Sequence, residues 1–307
     1  MATSMPPVKV YLHGCRYVIG EDERPIADIA NFTDFLAQNQ MIDDADLWGW
    51  NRYRLTRRSA MELGTEAAHH TLAALGSDRH KVDAAILCGT RFSSNVDGHA
   101  DVVGRFLQSL DLREAIPYGV SLNRCATLAA GLSLAESLVV SGKHRAILLT
   151  ACDTSEDDTR LRPFAIFSDG AASCVVVRDI PGEFELIATA AAVDAAAMRP
   201  NGEISAALAR RVNADLESRS GVPVDAIKRL THNNLFKPIV MIKEQQAGFR
   251  RDQLFMDNIG RIGHVFASDP LINLIDLLGS GALDKNDVVA MGSSVSGARF
   301  GALLRAV

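Results

Sequence analysis

The chain has 307 residues, 48% of them hydrophobic, and a formal net charge of −5. That length and apolar share exclude a disordered or fibrous chain and allow a large core, and the mild acidity supplies no basic field for nucleic acid or an anionic membrane. Five cysteines without C-x-x-C spacing, and no signal-peptide pattern or apolar run of spanning length, lead us to expect a cytoplasmic protein with reduced thiols.

In chain order, LWGWNRYRLTRRS at 47–59 brings Trp48 and Trp50 together with Arg52, Arg54, Arg57 and Arg58; by itself it reads as a solvated basic helix start whose tryptophans belong to the core. VDAAILCGT (82–90) and HRAILLTACD (144–153) are short apolar runs closed by small or turn residues, as expected of strands covered on both faces. AIPYGV predicts a strand over roughly 116–121. A tight connection through Leu122, Asn123 and Arg124 then leads into a helix that starts at or near Cys125 and runs to 141. Its small residues lie on nearly every side, which suits a helix packed between layers. The order of helix, SG, strand and DGAASCVVVRD recurs as DPLINLIDLLGSGAL, DVVAMGSS and SGARFGALLRA. This predicts an internal duplication: two similar lobes, 1–180 and 181–307, joined near Pro181 and Gly182, each with a largely parallel sheet covered by helices.

A thiol at a helix start faces free N–H groups and the positive end of the helix dipole, which favour thiolate. Cysteine is equally a core filler, so position alone leaves both readings of Cys125 open. Cys88, Cys152 and Cys174 lie within apolar runs and Cys15 follows YLHG; these four read as core. A thiolate nucleophile needs a base and a group that orients the base. His69, His70, His80 and His144 fall on helix surfaces or polar turns, and His13 and His99 read as structural. His232 in RLTHNNLF and His264 in IGRIGHVFASDP remain. Asp269 stands five residues after His264, directly before Pro270 and the helix it opens, and a loop curling into that helix would bring the carboxylate onto the imidazole. Taken alone, this spacing is also consistent with a chance pairing.

The stretch 118–178, with CATLAAGLSLAESLVVSG, AILLTACD and FSDGAASCVVV, and the closing GSSVSGARFGALL at 292–304, resemble the thiolase superfamily and within it the ketoacyl synthase III branch. The resemblance implies an α/β protein with the five-layered αβαβα thiolase fold, internally duplicated. Condensing members of that branch use Cys, His and Asn. Here the first histidine motif is HNNL, retaining His232, and His264 stands where the asparagine would be. That pattern resembles a divergent subgroup of ketoacyl synthase III-like acyltransferases with a Cys-His-Asp triad, which includes enzymes of daunorubicin and cervimycin biosynthesis.

Carried onto this sequence, the triad is Cys125, His264 and Asp269. His232 is left either to bind the carbonyl or to a structural role. The backbone N–H groups of Cys125 and of the Ser294–Gly297 loop, foremost Ser296, are left to hold the oxyanion. The implied donor is an acyl-CoA or an acyl-phosphopantetheine on a carrier protein, with no permanently bound cofactor and no metal, and the implied acceptor is a small-molecule hydroxyl, amine or thiol. By the same resemblance 47–59 borders a coenzyme A tunnel, with Trp48 or Trp50 on the adenine and Arg52, Arg54, Arg57 or Arg58 on phosphate. The amphipathic 236–253 stretch reads either as a carrier-protein contact or as a solvated helix face, and a homodimer through the strand near 116–121 is expected. Two alternatives stand beside acyl transfer: a decarboxylating condensing enzyme, and a non-catalytic partner subunit.

Overall fold

The computed structural model describes residues 8–91, 96–199 and 202–307. Nine strands form one hydrogen-bonded sheet. They are β1 (Val10–Ile19), β2 (Val82–Cys88), β3 (Ile116–Val120), β4 (Ala146–Asp153), β5 (Gly170–Arg178), β6 (Phe184–Val193), β7 (Arg229–His232), β8 (Val288–Val295) and β9 (Ala298–Ala306), in the spatial order β7-β8-β9-β6-β1-β5-β4-β2-β3. The order repeats. Running inward from β3, the first half reads third, second, fourth, fifth and first strand. The second half reads the same way, from β7 to β6, without an equivalent of β3. Within the sheet the two halves are joined where Val10, Tyr11 and Leu12 of β1 pair with Leu186, Glu185 and Phe184 of β6. The junction expected at Pro181 and Gly182 falls in the connection between β5 and β6.

Six helices cover and separate these halves: α1 (Ala60–Leu75), α2 (Val96–Ser109), α3 (Thr127–Val140), α4 (Ala206–Ser220), α5 (Lys237–Gln246) and α6 (Asp269–Gly279). The first half is backed by α1, with α2 packed on it; the second is backed by α4, with α5 beside it. Between the halves lie α3 and α6, each touching strands of both, so the layers run helix, sheet, helix, sheet, helix. β4 is buried along its whole length because both faces are covered, which is why its sequence is a mainly apolar run, interrupted at Thr150 and Asp153, rather than an alternating one. The middle layer is tight enough to dictate small residues: a Cβ on Gly131 of α3 would lie 2.6 Å from the Cys88 sulfur.

The sheet is not largely parallel as the sequence suggested. β3, β2 and β4 run parallel, as do β7 and β8, and the other neighbours are antiparallel. The reason is local: β8 returns into β9 through the two-residue turn Ser296–Gly297 instead of a crossover helix. β3 is the free edge of the first half, with Ile116 half exposed and Leu122 just beyond it 94% exposed. Among the described residues no helix is long and apolar enough to cross a membrane.

Candidate active site

Cys125 sits in a 3-10 turn, Arg124–Ala126, one residue ahead of α3 rather than in its first α-helical turn. Arg124 adopts the left-handed backbone conformation (φ 51°) to make that turn, and its guanidinium donates to the Ser296 carbonyl at 2.5 Å, tying the turn to the β8–β9 hairpin. α3 has no side-chain cap, so its terminal N–H groups remain oriented toward the turn. Cys125 is half-buried, whereas Cys15, Cys88, Cys152 and Cys174 are buried and unpaired, as expected of core thiols.

The loop that carries His264 is fixed by backbone and by the FSDG turn. His264 N–H donates to the Ile166 carbonyl and Ser168 N–H to the His264 carbonyl, forming a short parallel bridge. Gly263 before it has φ 81°, and a Cβ there would stand 2.9 Å from the Ile166 carbonyl oxygen, so glycine is required. The Asp169 carboxylate holds the FSDG turn in place, accepting from the Arg160 guanidinium at 3.0 and 2.9 Å and from the Thr56 and Ser155 N–H groups. The imidazole packs against Phe167 and Phe266, whose rings also meet each other.

Asp269 opens α6 and is fully buried. Its carboxylate accepts from Val265 N–H, Asn234 N–H, the Asn234 amide and His264 Nδ1. These donors fix the carboxylate, and its contact with Nδ1 orients the ring and leaves Nε2 as the free ring nitrogen. Nε2 meets no partner at hydrogen-bonding geometry among the described residues. It nevertheless lies close enough to the Cys125 thiol for that group to perturb it. Burial opposes charge on His264, but Asp269 and Cys125 outweigh it and push the imidazole up to about 10.

Cys125, His264, Phe266, Ser294 and Ser296 line one wall of an open cleft of about 2220 Å³. The N–H groups of Cys125 and Ser296 donate to no backbone or side-chain acceptor among the described residues, so both are free for an oxyanion. The Cys125 carbonyl is held by the Asn233 amide at 3.0 Å, and the Asn233 oxygen accepts from Ser294 N–H at 2.9 Å, which locks the turn against β8.

His232 is not brought to the cleft. Side chains two apart on a strand share a face, and Leu230 of β7 belongs to the cluster under α4 and α5. His232 therefore points the same way, toward Lys243, Glu244 and Arg299, and burial pushes it down to about 4. Its Nδ1 is engaged with the Asn233 carbonyl at 2.6 Å.

Trp48, Trp50, Arg52 and Arg54 do not line the cleft either. The two indoles stack on each other and meet Phe236 edge-on, Trp50 is 3% exposed, and both arginines pair with Glu23. Of that stretch only Arg57 joins Arg24 and Arg162 among the exposed arginines of the cleft. The 236–253 stretch contributes a wall rather than a solvated face alone: Pro238, Ile239, Ile242 and Lys243 of α5 line the cleft. His144, read as a surface residue, is buried between the Tyr118 hydroxyl at 2.9 Å and Asp83 at 3.3 Å. Asp153, unmarked by any motif, is pushed up to about 6 by burial, although Thr90 donates to it from both N–H and hydroxyl.

With this geometry in view, residues 121–195 match the family described as 3-oxoacyl-[acyl-carrier-protein] synthase III. A β-ketoacyl-[acyl-carrier-protein] synthase III of Phocaeicola vulgatus is 26% identical over 149 residues, 45% of this chain and 43% of that protein. A Rickettsia massiliae enzyme of the same name is 28% identical over 154 residues, 45% of this chain and 46% of that protein. The match thus spans less than half the length of these relatives. Solved structures align over nearly the whole chain. The acyltransferase ChlB3 does so with a TM-score of 0.80 and 17% identity, covering 97% of this chain and 98% of its own. The 3-oxoacyl-[acyl-carrier-protein] synthase III of Aquifex aeolicus does so with a TM-score of 0.77 and 16% identity, covering 96% and 99%. The chain has the mixed α/β fold of these ketoacyl synthase III-like, thiolase-type structures.

Proposed function

We propose that this chain is an acyltransferase that takes an acyl group from a CoA or carrier-protein thioester onto Cys125 and passes it to a hydroxyl, amine or thiol, in secondary metabolism of the polyketide or antibiotic kind. The observation that carries this reading is the His264–Asp269 pair, whose free Nε2 adjoins the thiol in the cleft. An asparagine at that position only exchanges fixed hydrogen bonds with a substrate carbonyl, whereas an imidazole supported by a buried carboxylate takes up and releases a proton.

The protons balance as follows. Cys125 passes its proton to His264 Nε2 to become the nucleophile. The Cys125 sulfur attacks the donor carbonyl, and the oxyanion is held by the Cys125 and Ser296 N–H groups. Collapse expels the donor thiolate, which takes the proton from Nε2. The acyl-cysteine carries no charge, so the thiolate that supported the imidazolium is gone and the ring is left neutral, as a base. It takes the proton of the acceptor as that group attacks, and expulsion of the Cys125 thiolate restores the starting pair. Arg57 and Arg162, exposed in the cleft, are the side chains we assign to the phosphates of a donor arm. The free edge of β3 is the surface through which a second copy would pair.

Incubation with a panel of acyl-CoAs and acyl-carrier thioesters, followed by candidate acceptors, tests this by intact mass. The expected result is an adduct on Cys125 that acceptor addition removes. Release of carbon dioxide coupled to a 3-keto product would establish a condensing enzyme instead.

A second measurement follows from His264. Its folded value is raised above the unfolded 6.5 to about 10, so its contribution to stability is fully present below pH 6.5 and is lost as pH rises through about 10. Within that window stability is expected to fall by up to about 1.4 kcal/mol per pH unit from this group. Thermal melts between pH 6.5 and 10 should show that fall, and Asp269→Asn, which removes the main support of the proton, should flatten it. Parallel pH curves for the two proteins would contradict the assignment.

A further inference from the structure

Beside the triad lies a second group of buried charges that the proposed chemistry does not use. Lys243 of α5 is 5% exposed and Glu244 next to it 0%, while Arg299 of β9 is 2% exposed. The Lys243 ammonium lies 2.9 Å from Glu244 Oε1, and Arg299 Nη1 donates to the same carboxylate at 2.8 Å. Two cations thus share one anion. His232, the remaining titratable group in contact with them, is pushed down to about 4 by burial and brings no charge at neutral pH. The two cations outnumber the one carboxylate; burial pushes the Lys243 ammonium below an ordinary lysine, and Glu244 opposes that shift.

A buried unbalanced cation is costly to keep, and this one is at the wall of a cleft: Lys243 lines it together with Cys125, His264 and Ser294. The cluster is also tied to the nucleophile by a short relay. Arg299 Nη1 donates to Ser294 Oγ at 2.9 Å, Ser294 N–H to Asn233 Oδ1 at 2.9 Å, and Asn233 Nδ2 to the Cys125 carbonyl at 3.0 Å. Glu244 occupies one side of the ammonium, which carries three N–H donors. Arg299 Nε has no partner among the described residues.

We propose that Lys243, backed by Arg299, is a carboxylate subsite of the cleft: the substrate it receives carries a free carboxylate a short chain away from the reacting carbonyl. The anion completes the charge of the cluster on binding and leaves unchanged; it is a handle, and no bond to it forms or breaks. It belongs either to the acyl donor, as the half-thioester of a short dicarboxylic acid, or to the acceptor, as a hydroxy or amino acid. This deepens the acyl-transfer reading and rests on it for the identity of the reacting carbonyl.

The test has two arms and one binding measurement. In the donor arm, the rate of adduct formation on Cys125 is compared between succinyl-CoA and butyryl-CoA. In the acceptor arm, enzyme preloaded with a neutral acyl group is offered lactate or 1,2-propanediol, and loss of the adduct is timed. One arm is expected to favour the carboxylate-bearing compound at least 10-fold, with Lys243→Met abolishing the preference and Lys243→Arg keeping it. In parallel, free succinate should raise the melting temperature of the wild-type protein and not that of Lys243→Met. Because Lys243→Met removes the unbalanced charge and leaves the Arg299–Glu244 pair, its own melting temperature should not fall. A merely structural lysine would lower it.

Equal rates for both compounds in both arms, or a preference unchanged in Lys243→Met, would overturn the subsite. If Lys243→Met does not fold, the wild-type rates, Lys243→Arg and the succinate melt decide. If no thioester acylates Cys125, acyl transfer is what fails, and the succinate melt still decides the subsite.

Discussion

Cys125→Ala is expected to abolish both the acyl adduct and turnover, with no residual acylation at another thiol. The four other cysteines cannot stand in for it. They lie between 0% and 5% exposed on β1, β2, β4 and β5 of the first half, and burial pushes Cys152 up to about 12 and Cys88 higher than an ordinary thiol. A thiol so enclosed does not reach a thioester in the cleft. Cys125 is partly open, at the cleft wall, beside the His264 imidazole. Replacing it with alanine removes one sulfur from a half-buried turn, so the protein should fold and melt close to wild type. Loss of function is then chemical. An adduct that persists on Cys125→Ala, or that maps to Cys88, Cys152 or Cys174, would refute the assignment of the nucleophile.

The parts of this site that were legible in the sequence are those written locally. Gly263, His264 and Asp269 lie within seven residues, and the bridge to 166–168 and the start of α6 need only short-range geometry to bring imidazole and carboxylate together. The fully buried strand β4 and the crowded helix α3 were legible for a similar reason: burial on every side leaves a mainly apolar or small-residue run. What was not legible depended on partners far along the chain. Lys243 and Glu244, adjacent on a helix, look like any solvated pair until Arg299, 55 residues away in sequence from Glu244, arrives from β9. His232 carries a motif resemblance, but strand parity turns its ring to the outer face with Leu230 and away from Cys125. Trp48 and Trp50 have the composition of a nucleotide platform, and the presence of Phe32 and Phe236 makes them a satellite core instead. The antiparallel closing strands were missed because the two-residue turn at Ser296 and Gly297 was read as part of a loop rather than as a hairpin.

His264→Asn separates the two chemistries that this fold accommodates. The substitution restores the residue used by condensing members and removes the base, while Asp269 keeps its other donors from Val265 and Asn234. In acyl transfer the two half-reactions depend on His264 unequally. A reactive thioester still acylates Cys125 slowly, because the free N–H groups at the start of α3 continue to favour the thiolate and the oxyanion donors are untouched. Transfer to an alcohol or amine cannot proceed, since nothing remains to take the acceptor proton. The acyl-enzyme should therefore accumulate, and turnover should fall by about 10⁴ to 10⁶, the scale on which triads lose their base. Asp269→Asn should give a smaller loss, about 10⁴, by depriving the imidazolium of its charge partner. Unimpaired transfer by His264→Asn would remove His264 from the mechanism. Carbon dioxide release that the variant keeps or improves would mean that the wild-type imidazole occupies an asparagine's place in a condensing enzyme, and that its pairing with Asp269 serves the fold.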